Sequence, residues 1–259
     1  MIKVASFNVQ KFGQRKVKNQ QVFMTLLKII KRYDIVVIME VVDRSGLSIE
    51  ILLDALGRDK YAYMASDRLG RGRYKEQYVF LYNMSSVYVT DTYQYDDMAL
   101  QDCDVFARDP FIVRFKILNT KNISNLTVVP LHTKPVDSKA EIDGLKCVVE
   151  HIRHMWRTNN VMIVGDFNAD GNYVSCNSMQ RISIRCDPNY FWLVHDDEDT
   201  TTCTSNDHTY DRIVVYGKKL AKACGYAAKP FNYQEAYNMT EQQALAVSDH
   251  YPVEVNISI

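Results

Sequence analysis

Apolar residues in this chain gather into short runs, and many of those runs stop on a polar residue. The pattern is plainest at Val161-Met-Ile-Val-Gly-Asp-Phe-Asn-Ala-Asp170, where four apolar residues lead through Gly165 to Asp166 and Asn168. An unbroken apolar run of that length, bounded by glycine, predicts a buried strand. Side chains alternate along a strand, so Asp166 and Asn168 are expected on one side of its end and Phe167 on the other. The device recurs. Ile2–Val9 alternates and ends around Asn8, Ile35–Met39 is wholly apolar and ends in Glu40, and Leu126–Leu131 ends at His132. Tyr61–Ala65, Val79–Tyr82, Val87–Tyr95 and Phe111–Phe115 read as further strands. Asp211 opens a strand instead of ending one, and Asp249-His250 stands at the mouth of a last alternating stretch that runs to Val255.

Helical spacing is confined to fewer segments. Val22–Arg32 places Val22, Phe23, Leu26, Leu27, Ile29 and Ile30 on one side, after a polar turn closed by Gly13. Ser48–Leu56 is a second helix, closed by Gly57. Ala140–Trp156 is the clearest, with Ile142, Leu145, Val148, Val149 and Ile152 toward the core and His151 and His154 on the polar side. No linker, low-complexity tract or repeat interrupts the chain. Many strands with helices between some of them imply an α/β or α+β domain spanning 1–259, a two-layered β-sheet core with helices outside.

Composition narrows this only slightly. Lys+Arg and Asp+Glu are equal at 31 each, so no global basic field advertises a polyanion, although a local basic rim is enough to guide one. Hydrophobic residues at 47% and charged residues at 24% are ordinary for a globular protein in water. No apolar run approaches the roughly 20 residues of a membrane span, so no membrane partner is expected, and the chain enters its first strand without a targeting segment. Six cysteines show no zinc spacing. Their even number permits disulfides without fixing the pairs. Five Asn-x-Ser/Thr sequons begin at Asn83, Asn122, Asn125, Asn238 and Asn256.

Collected, the polar residues at strand ends are Asn8, Glu40, Glu76, His132, Asp166, Asn168, Asp211, Asp249 and His250. They supply oxygen ligands, two imidazoles and two amides, but no nucleophile with a matched base and no glycine-rich nucleotide loop. Oxygen ligands favour Mg²⁺, Mn²⁺ or Ca²⁺ over zinc. A divalent ion to neutralise phosphate charge, with carboxylate-held histidines to move protons, is the equipment of metal-assisted phosphoester hydrolysis. Arg68, Arg71, Arg73 and Lys75 sit in a loop punctuated by Gly70 and Gly72. Such a loop is either a solvated charge run or a rim that contacts phosphate. Asp96, Asp97, Asp102 and Asp104 form an acidic loop of the kind that holds calcium, and Asp199-Thr-Thr-Thr202 is a second candidate.

Several of these segments carry a resemblance. Ser6-Phe-Asn8, Met39-Glu40, Tyr74-Lys-Glu-Gln-Tyr78, Asp91-Thr-Tyr-Gln-Tyr-Asp-Asp97, Leu131-His-Thr133, Gly165-Asp-Phe-Asn-Ala-Asp170, Tyr210-Asp-Arg-Ile-Val214 and Ser248-Asp-His-Tyr-Pro-Val-Glu-Val255 resemble the deoxyribonuclease I family, collinearly over almost the whole chain. The shorter pieces are shared with the wider endonuclease/exonuclease/phosphatase superfamily. The resemblance implies a four-layered sandwich, two packed and mainly antiparallel β-sheets flanked by helices. It implies an endonuclease that cuts double-stranded DNA to 5′-phosphate and 3′-hydroxyl ends, using Mg²⁺ (or Mn²⁺) with Ca²⁺ in support. By the same resemblance Glu76 would orient His132, and Asp211 would pair with His250. Asn8, Glu40 and Asp249 would hold the catalytic metal, and Asp166 and Asn168 would position phosphate and water. Arg71, Arg73, Tyr74, Arg108 and Tyr210 would face DNA. Asp97, Asp104, the Phe106 carbonyl and Asp109 resemble one structural calcium site, Asp199 and Thr201 part of another.

The departures are specific. Val42 and Gln10 stand where the family places arginines that reach the minor groove, and Gly72 replaces a loop asparagine. Groove grip is expected to differ, with Arg73 restoring some phosphate contact. Ala65 and Phe111 replace residues of the actin-binding surface, so actin binding is expected to be weak or absent. Gly171 and His208 occupy the positions of the family's main disulfide, leaving a relocated Cys176–Cys203 bridge as one option and Cys103 without a partner. The pattern, with Phe111 and Thr133, leans toward the gamma-type branch. A secreted monomer is expected from the resemblance and the sequons, with a cytosolic location left open. Two other readings compete: a sister phosphoesterase acting on phosphoinositides or sphingomyelin, and an inactive DNA- or actin-binding relic.

Overall fold

Alternation decides the architecture. The strands in the computed structural model, which describes residues 1–101, 104–120 and 122–259, are β1 (Ile2–Phe12), β2 (Ile35–Val41), β3 (Tyr61–Ala65), β4 (Gln77–Asn83), β5 (Val87–Gln94), β6 (Phe111–Ile117), β7 (Asn125–His132), β8 (Val161–Asp166), β9 (Tyr190–Trp192), β10 (Asp211–Tyr216), β11 (Lys229–Pro230) and β12 (Val253–Ile257). They form two six-stranded sheets, ordered β11-β12-β1-β2-β4-β3 and β5-β6-β7-β8-β10-β9. Each sheet contains one parallel pair, β1 with β2 and β7 with β8, and is otherwise antiparallel. The expected four-layered sandwich is therefore the observed one.

One face of every long strand feeds the core between the sheets. Val4, Ile35, Val37, Met39, Phe80, Val128, Met162, Val164, Ile213 and Val255 meet there. The alternate residues pack outward. Phe7, Val36 and Ile38 lie with Leu26, Ile29 and Leu52 of the helices Gln20–Ile30 and Leu47–Leu56. Val129, Leu131 and Ile163 lie with Ile142, Leu145 and Val149 of the helix Ser138–Trp156. Both faces of these strands are buried, which is why β2 and β8 read as continuous apolar runs.

The sequence misplaces some detail. A short helix Gln14–Lys18 follows the turn at Gly13, and a helix Glu241–Val247, started by a Thr240/Gln243 capping box, precedes the last strand; the sequence reading places neither. His151 is not a free surface group: it is half-buried, stacked on Tyr93 at 5.4 Å and edge-on to Tyr95 at 5.9 Å. His154 is exposed, as expected. Asp102 and Cys103 lie outside the described residues. The proposed Cys176–Cys203 bridge does not form. Both thiols are free, Cys176 beside Arg185 and Asp196 and Cys203 in a separate depression with Asp199 and Glu235. Among the described residues no helix is long and apolar enough to cross a membrane.

Candidate active site

The alternation that builds the inter-sheet core also aims the polar strand ends. Counting on from the core residues of their own strands, Asn8, Glu76, His132, Asp166 and Asp211 all fall on the inner face. Asp211 belongs with the others although it begins β10. That strand runs antiparallel to β8 and pairs Asp211 with Asp166, while β7, parallel to β8, pairs His132 with Asp166. The first residue of one strand and the last residues of two others thus share one edge.

Glu40 breaks the count. Val36 and Ile38 point outward, so regular alternation would bury Glu40 beneath the helices. A left-handed residue at Glu40 (φ 57°) and a register shift between Ile38 and Val41 invert the parity instead. Val41 takes the outward place and Glu40 turns to Asn8, whose Nδ2 donates to Glu40 Oε1 at 3.1 Å. A non-glycine residue held at positive φ costs of order 1 kcal/mol or more, and here the strain delivers a carboxylate to the site. Gly165 has a plainer role. With φ 147° it lies so close to β7 that a Cβ would fall 1.8 Å from the Leu131 carbonyl oxygen.

At the centre is Asp166, 2% exposed. Its Oδ2 accepts from Asn8 Nδ2 across the two sheets at 3.1 Å, and its Oδ1 accepts from the Asn168 N–H at 3.0 Å. His132 Nε2 and His250 Nε2 each lie 3.6 Å from the same Oδ2. Each imidazole is backed by its own carboxylate. His132 Nδ1 meets Glu76 Oε1 at 2.5 Å and His250 Nδ1 meets Asp211 Oδ2 at 2.7 Å. His132 and His250 therefore share one face, and the edge they flank is nearly symmetric.

Electrostatics follow from this packing. Burial disfavours a charged His132, but the Glu76 carboxylate outweighs it and the ring holds its proton above the usual range. Burial likewise works against Glu76, yet His132 and then Arg108 keep it below the usual carboxylate range. Asp166 is also held low against burial, by His250 and then His132. Burial raises Asp211 and disfavours a charged His250, but the carboxylates of Asp211 and Asp166 outweigh that burial and raise His250. The carboxylates fix the orientation of both rings and favour the protonated imidazole.

The remaining expected residues divide. Asn168 is not placed by simple alternation: it lies beyond the strand at φ 46°, and its amide donates to the Thr133 carbonyl at 3.3 Å. Asp249 reaches His250 Nε2 at 3.9 Å, and its Oδ1 has no hydrogen-bond partner among the described residues. Asp166, Asp211 and His250 also bring ligand atoms within 4.8 Å of one another. Hydrogen bonding within that set already accounts for its closeness. Arg108 is more than a rim residue, since its guanidinium bonds Glu76 Oε1 at 2.9 Å and the His132 carbonyl at 3.0 Å. Tyr74 is 46% exposed and its hydroxyl reaches Glu40 Oε2 at 3.4 Å. Arg73 is exposed and makes no ion pair among the described residues. Arg71 is partly exposed and paired with the acidic loop. It binds Asp104 Oδ1 at 2.9 Å and the Phe106 carbonyl at 3.4 Å, so a guanidinium grips two of the expected calcium ligands.

Asp97 is buried and caps the N–H groups of Val105 and Phe106, at 2.6 and 3.0 Å. Burial, then the charges of Asp97, Asp96 and Asp104, push the Asp109 carboxyl up to about 7. Asp199 and Thr201 are joined in a local turn, Thr201 Oγ1 to Asp199 Oδ1 at 2.7 Å. Sequence reasoning missed Ser248, which donates to the Asn8 carbonyl at 2.6 Å and accepts from His250 N at 3.1 Å. Its signal was its place beside Asp249-His250. It also missed Lys16, whose ammonium donates to the Val247 carbonyl and, at 3.5 Å, to that of Ala246. Burial lowers Lys16 to about 8 against the pull of Asp249 and Glu40.

Comparison with known proteins agrees with this geometry. Residues 5–250 match the model of the Endonuclease/Exonuclease/phosphatase family. The chain is similar to Deoxyribonuclease-1 of Bos taurus, 42% identical over 263 residues, covering 99% of this chain and 92% of that protein. It is similar to Deoxyribonuclease gamma of Homo sapiens, 40% identical over 262 residues, covering 99% and 86%. Those identities do not separate the gamma-type branch from the other. Among solved structures, a mannosyl-6-phosphatase of Bacteroides thetaiotaomicron VPI-5482 superposes with a TM-score of 0.68 at 15% identity, covering both chains fully. The human Nocturnin catalytic domain superposes with a TM-score of 0.64 at 12% identity, covering 99% and 94%. Likeness at that level shows the shared fold.

Proposed function

Because the chain belongs to the Endonuclease/Exonuclease/phosphatase family and aligns end to end with deoxyribonucleases, we propose that it is a deoxyribonuclease, a hydrolase that cuts the phosphodiester bonds of double-stranded DNA to 5′-phosphate and 3′-hydroxyl ends. One observation carries the reading: two carboxylate-backed imidazoles whose Nε2 atoms both lie 3.6 Å from Asp166 Oδ2. A phosphate lying against that edge has a proton carrier on either side. One imidazole, after releasing its own proton to solvent, takes the proton of the attacking water, and the other, still protonated, gives a proton to the leaving oxygen, each worth roughly 10²–10⁴-fold. Glu76 and Asp211 hold the rings and steady their charge. Asn168 and the Asp166 carboxylate orient water and phosphate.

The donors Asn8, Glu40 and Asp249 fit a hard divalent cation, Mg²⁺ or Mn²⁺. All three offer oxygen, and Asp249 Oδ1 has no other partner among the described residues. Such an ion, when bound, neutralises phosphate charge. Asp97, Asp104, the Phe106 carbonyl and Asp109 are the proposed ligands of one Ca²⁺, Asp199 and Thr201 part of the set for another, and Arg71, Arg73, Tyr74, Arg108 and Tyr210 the proposed DNA-facing set. We propose a single-domain, secreted monomer that carries glycans, with Asn122, Asn238 and Asn256 the exposed sequon asparagines, and that binds actin weakly or not at all.

Supercoiled plasmid with Mg²⁺ and Ca²⁺, beside an EDTA control, tests the reading. Nicking that EDTA abolishes and that His132→Ala reduces at least 100-fold is expected. Full activity of His132→Ala, or turnover of phosphoinositide or sphingomyelin in place of DNA, overturns it.

A further inference from the structure

His208 is a third histidine beside the site, and the reaction as described gives it no task. Its Nδ1 lies 3.3 Å from Asp170 Oδ2. That carboxylate also accepts from the Thr209 N–H at 3.0 Å through Oδ2 and from the Gly171 N–H at 2.7 Å through Oδ1. One side of the imidazole closes on Gly171, where a Cβ would come within 2.9 Å of ring atoms Cε1 and Nε2. Gly171 also has φ 59°, so both space and backbone call for glycine. The ring also packs on Tyr210, with centroids 5.1 Å apart and planes inclined 46°. Tyr210 in turn stands 6.3 Å from the His250 ring, tilted by 47°.

The backbone around this wedge is fixed. The His208 carbonyl accepts from Thr200 N and Thr200 Oγ1, at 3.2 and 3.1 Å. Thr200 Oγ1 accepts from the N–H groups of Tyr210 and Asp211 at 3.0 and 3.2 Å. The main chain of residues 208–211 is therefore held independently of the imidazole. What the ring supplies, together with the Tyr173 ring 5.8 Å from that of Tyr210, is a lateral stop for the Tyr210 side chain.

We propose that His208 is a positioning residue: its imidazole, wedged between Gly171 and Tyr210 and moored to Asp170, sets the tilt of the Tyr210 ring against His250 and thereby the fit of the DNA backbone at this wall. The inference rests on the nuclease reading and on Tyr210 facing DNA. It assigns to His208 a role in substrate fit and none in proton transfer.

The test measures KM and kcat for duplex cleavage in wild type, His208→Ala, His208→Gln, His208→Phe, and His208→Ala combined with Tyr210→Ala, with a thermal melt of each. His208→Ala is expected to raise KM roughly 2- to 12-fold, the worth of one aromatic contact, with a much smaller change in kcat. His208→Gln, which keeps a hydrogen-bonding partner for Asp170 but has no ring, reproduces the rise while melting like wild type. His208→Phe, which keeps the ring and loses the mooring, recovers most of it. In the Tyr210→Ala background the loss of His208 adds nothing. An unchanged KM in the alanine and glutamine variants, a loss confined to kcat, or additive effects of the two alanines overturns the proposal while wild-type cleavage leaves the nuclease reading standing. Wild type that leaves DNA intact overturns both.

Discussion

Glu141 offers a sharp test of how this site is held together. It lies in the first turn of the helix Ser138–Trp156, is 0% exposed, and accepts the Lys134 N–H at 2.9 Å, two residues beyond His132. Burial pushes its carboxyl from 4.5 up to about 7, against the N–H groups of Lys134 and Ala107. A carboxyl raised in the fold keeps its proton at pH values where the unfolded chain has released it. Its contribution is complete below about pH 4.5 and lost as pH climbs through about 7. That interval corresponds to about 3 kcal/mol. Glu141→Gln retains the acceptor for Lys134 and cannot ionise. The stability of wild type minus that of Glu141→Gln should therefore fall by about 3 kcal/mol between pH 4.5 and 8, roughly 6 °C in melting temperature for a chain of this size. Urea or thermal unfolding of both proteins at several pH values and constant Ca²⁺ reads the difference, in which other titrating groups cancel. Two stability curves that stay parallel over that range would falsify the account of Glu141 as a buried, protonated strut.

Three further outcomes are expected. Gly165→Ala places a Cβ 1.8 Å from the Leu131 carbonyl oxygen, so it should cost about 4 kcal/mol or more or prevent folding; a melting temperature near that of wild type contradicts the close β7–β8 approach. Ca²⁺ should raise the melting temperature of wild type, by about 2.7 kcal/mol at a hundredfold excess over Kd, and Asp109→Asn should lose most of that gain; an equal Ca²⁺ shift in both proteins removes Asp109 from the ligand set. Val42→Arg, at a half-buried position after β2, should increase duplex cleavage at low salt and steepen its salt dependence by about one phosphate contact, a slope change near 0.9; equal rates at every salt concentration reject a groove-facing role for this position.

Much of the site is legible because strand parity and burial obey the same rule. His132 and Asp166 follow core runs and Asp211 precedes one; the alternation of each run already states which way its polar residue points, and the structure adds only which strands are neighbours. What escapes the sequence is whatever depends on a break in that rule. Glu40 reaches the site through a left-handed backbone, and Asn168 turns toward Thr133 in the same way. Nothing in the residues flanking either one announces it. Arg108 and Arg71 are equally basic along the chain, yet one is drawn to Glu76 and the other to Asp104. That choice depends on which carboxylate the fold brings within reach. His151 looked like a surface residue on helical spacing alone, because its aromatic neighbours come from β5 and the loop after it.

The position of β12 bears on when the molecule acquires its activity. That strand slots between β11, the strand before it in the chain, and β1, the first strand, and the residues just before it bring Asp249 and His250. A nascent chain on the ribosome would have folded most of both sheets before this piece emerged. Until then β1 would present an unpaired edge, a liability for association with other chains, and one of the two proton carriers would be absent. Hydrolytic competence thus waits on the docking of β12 against β1, the step that closes this edge and brings the second imidazole up to Asp166.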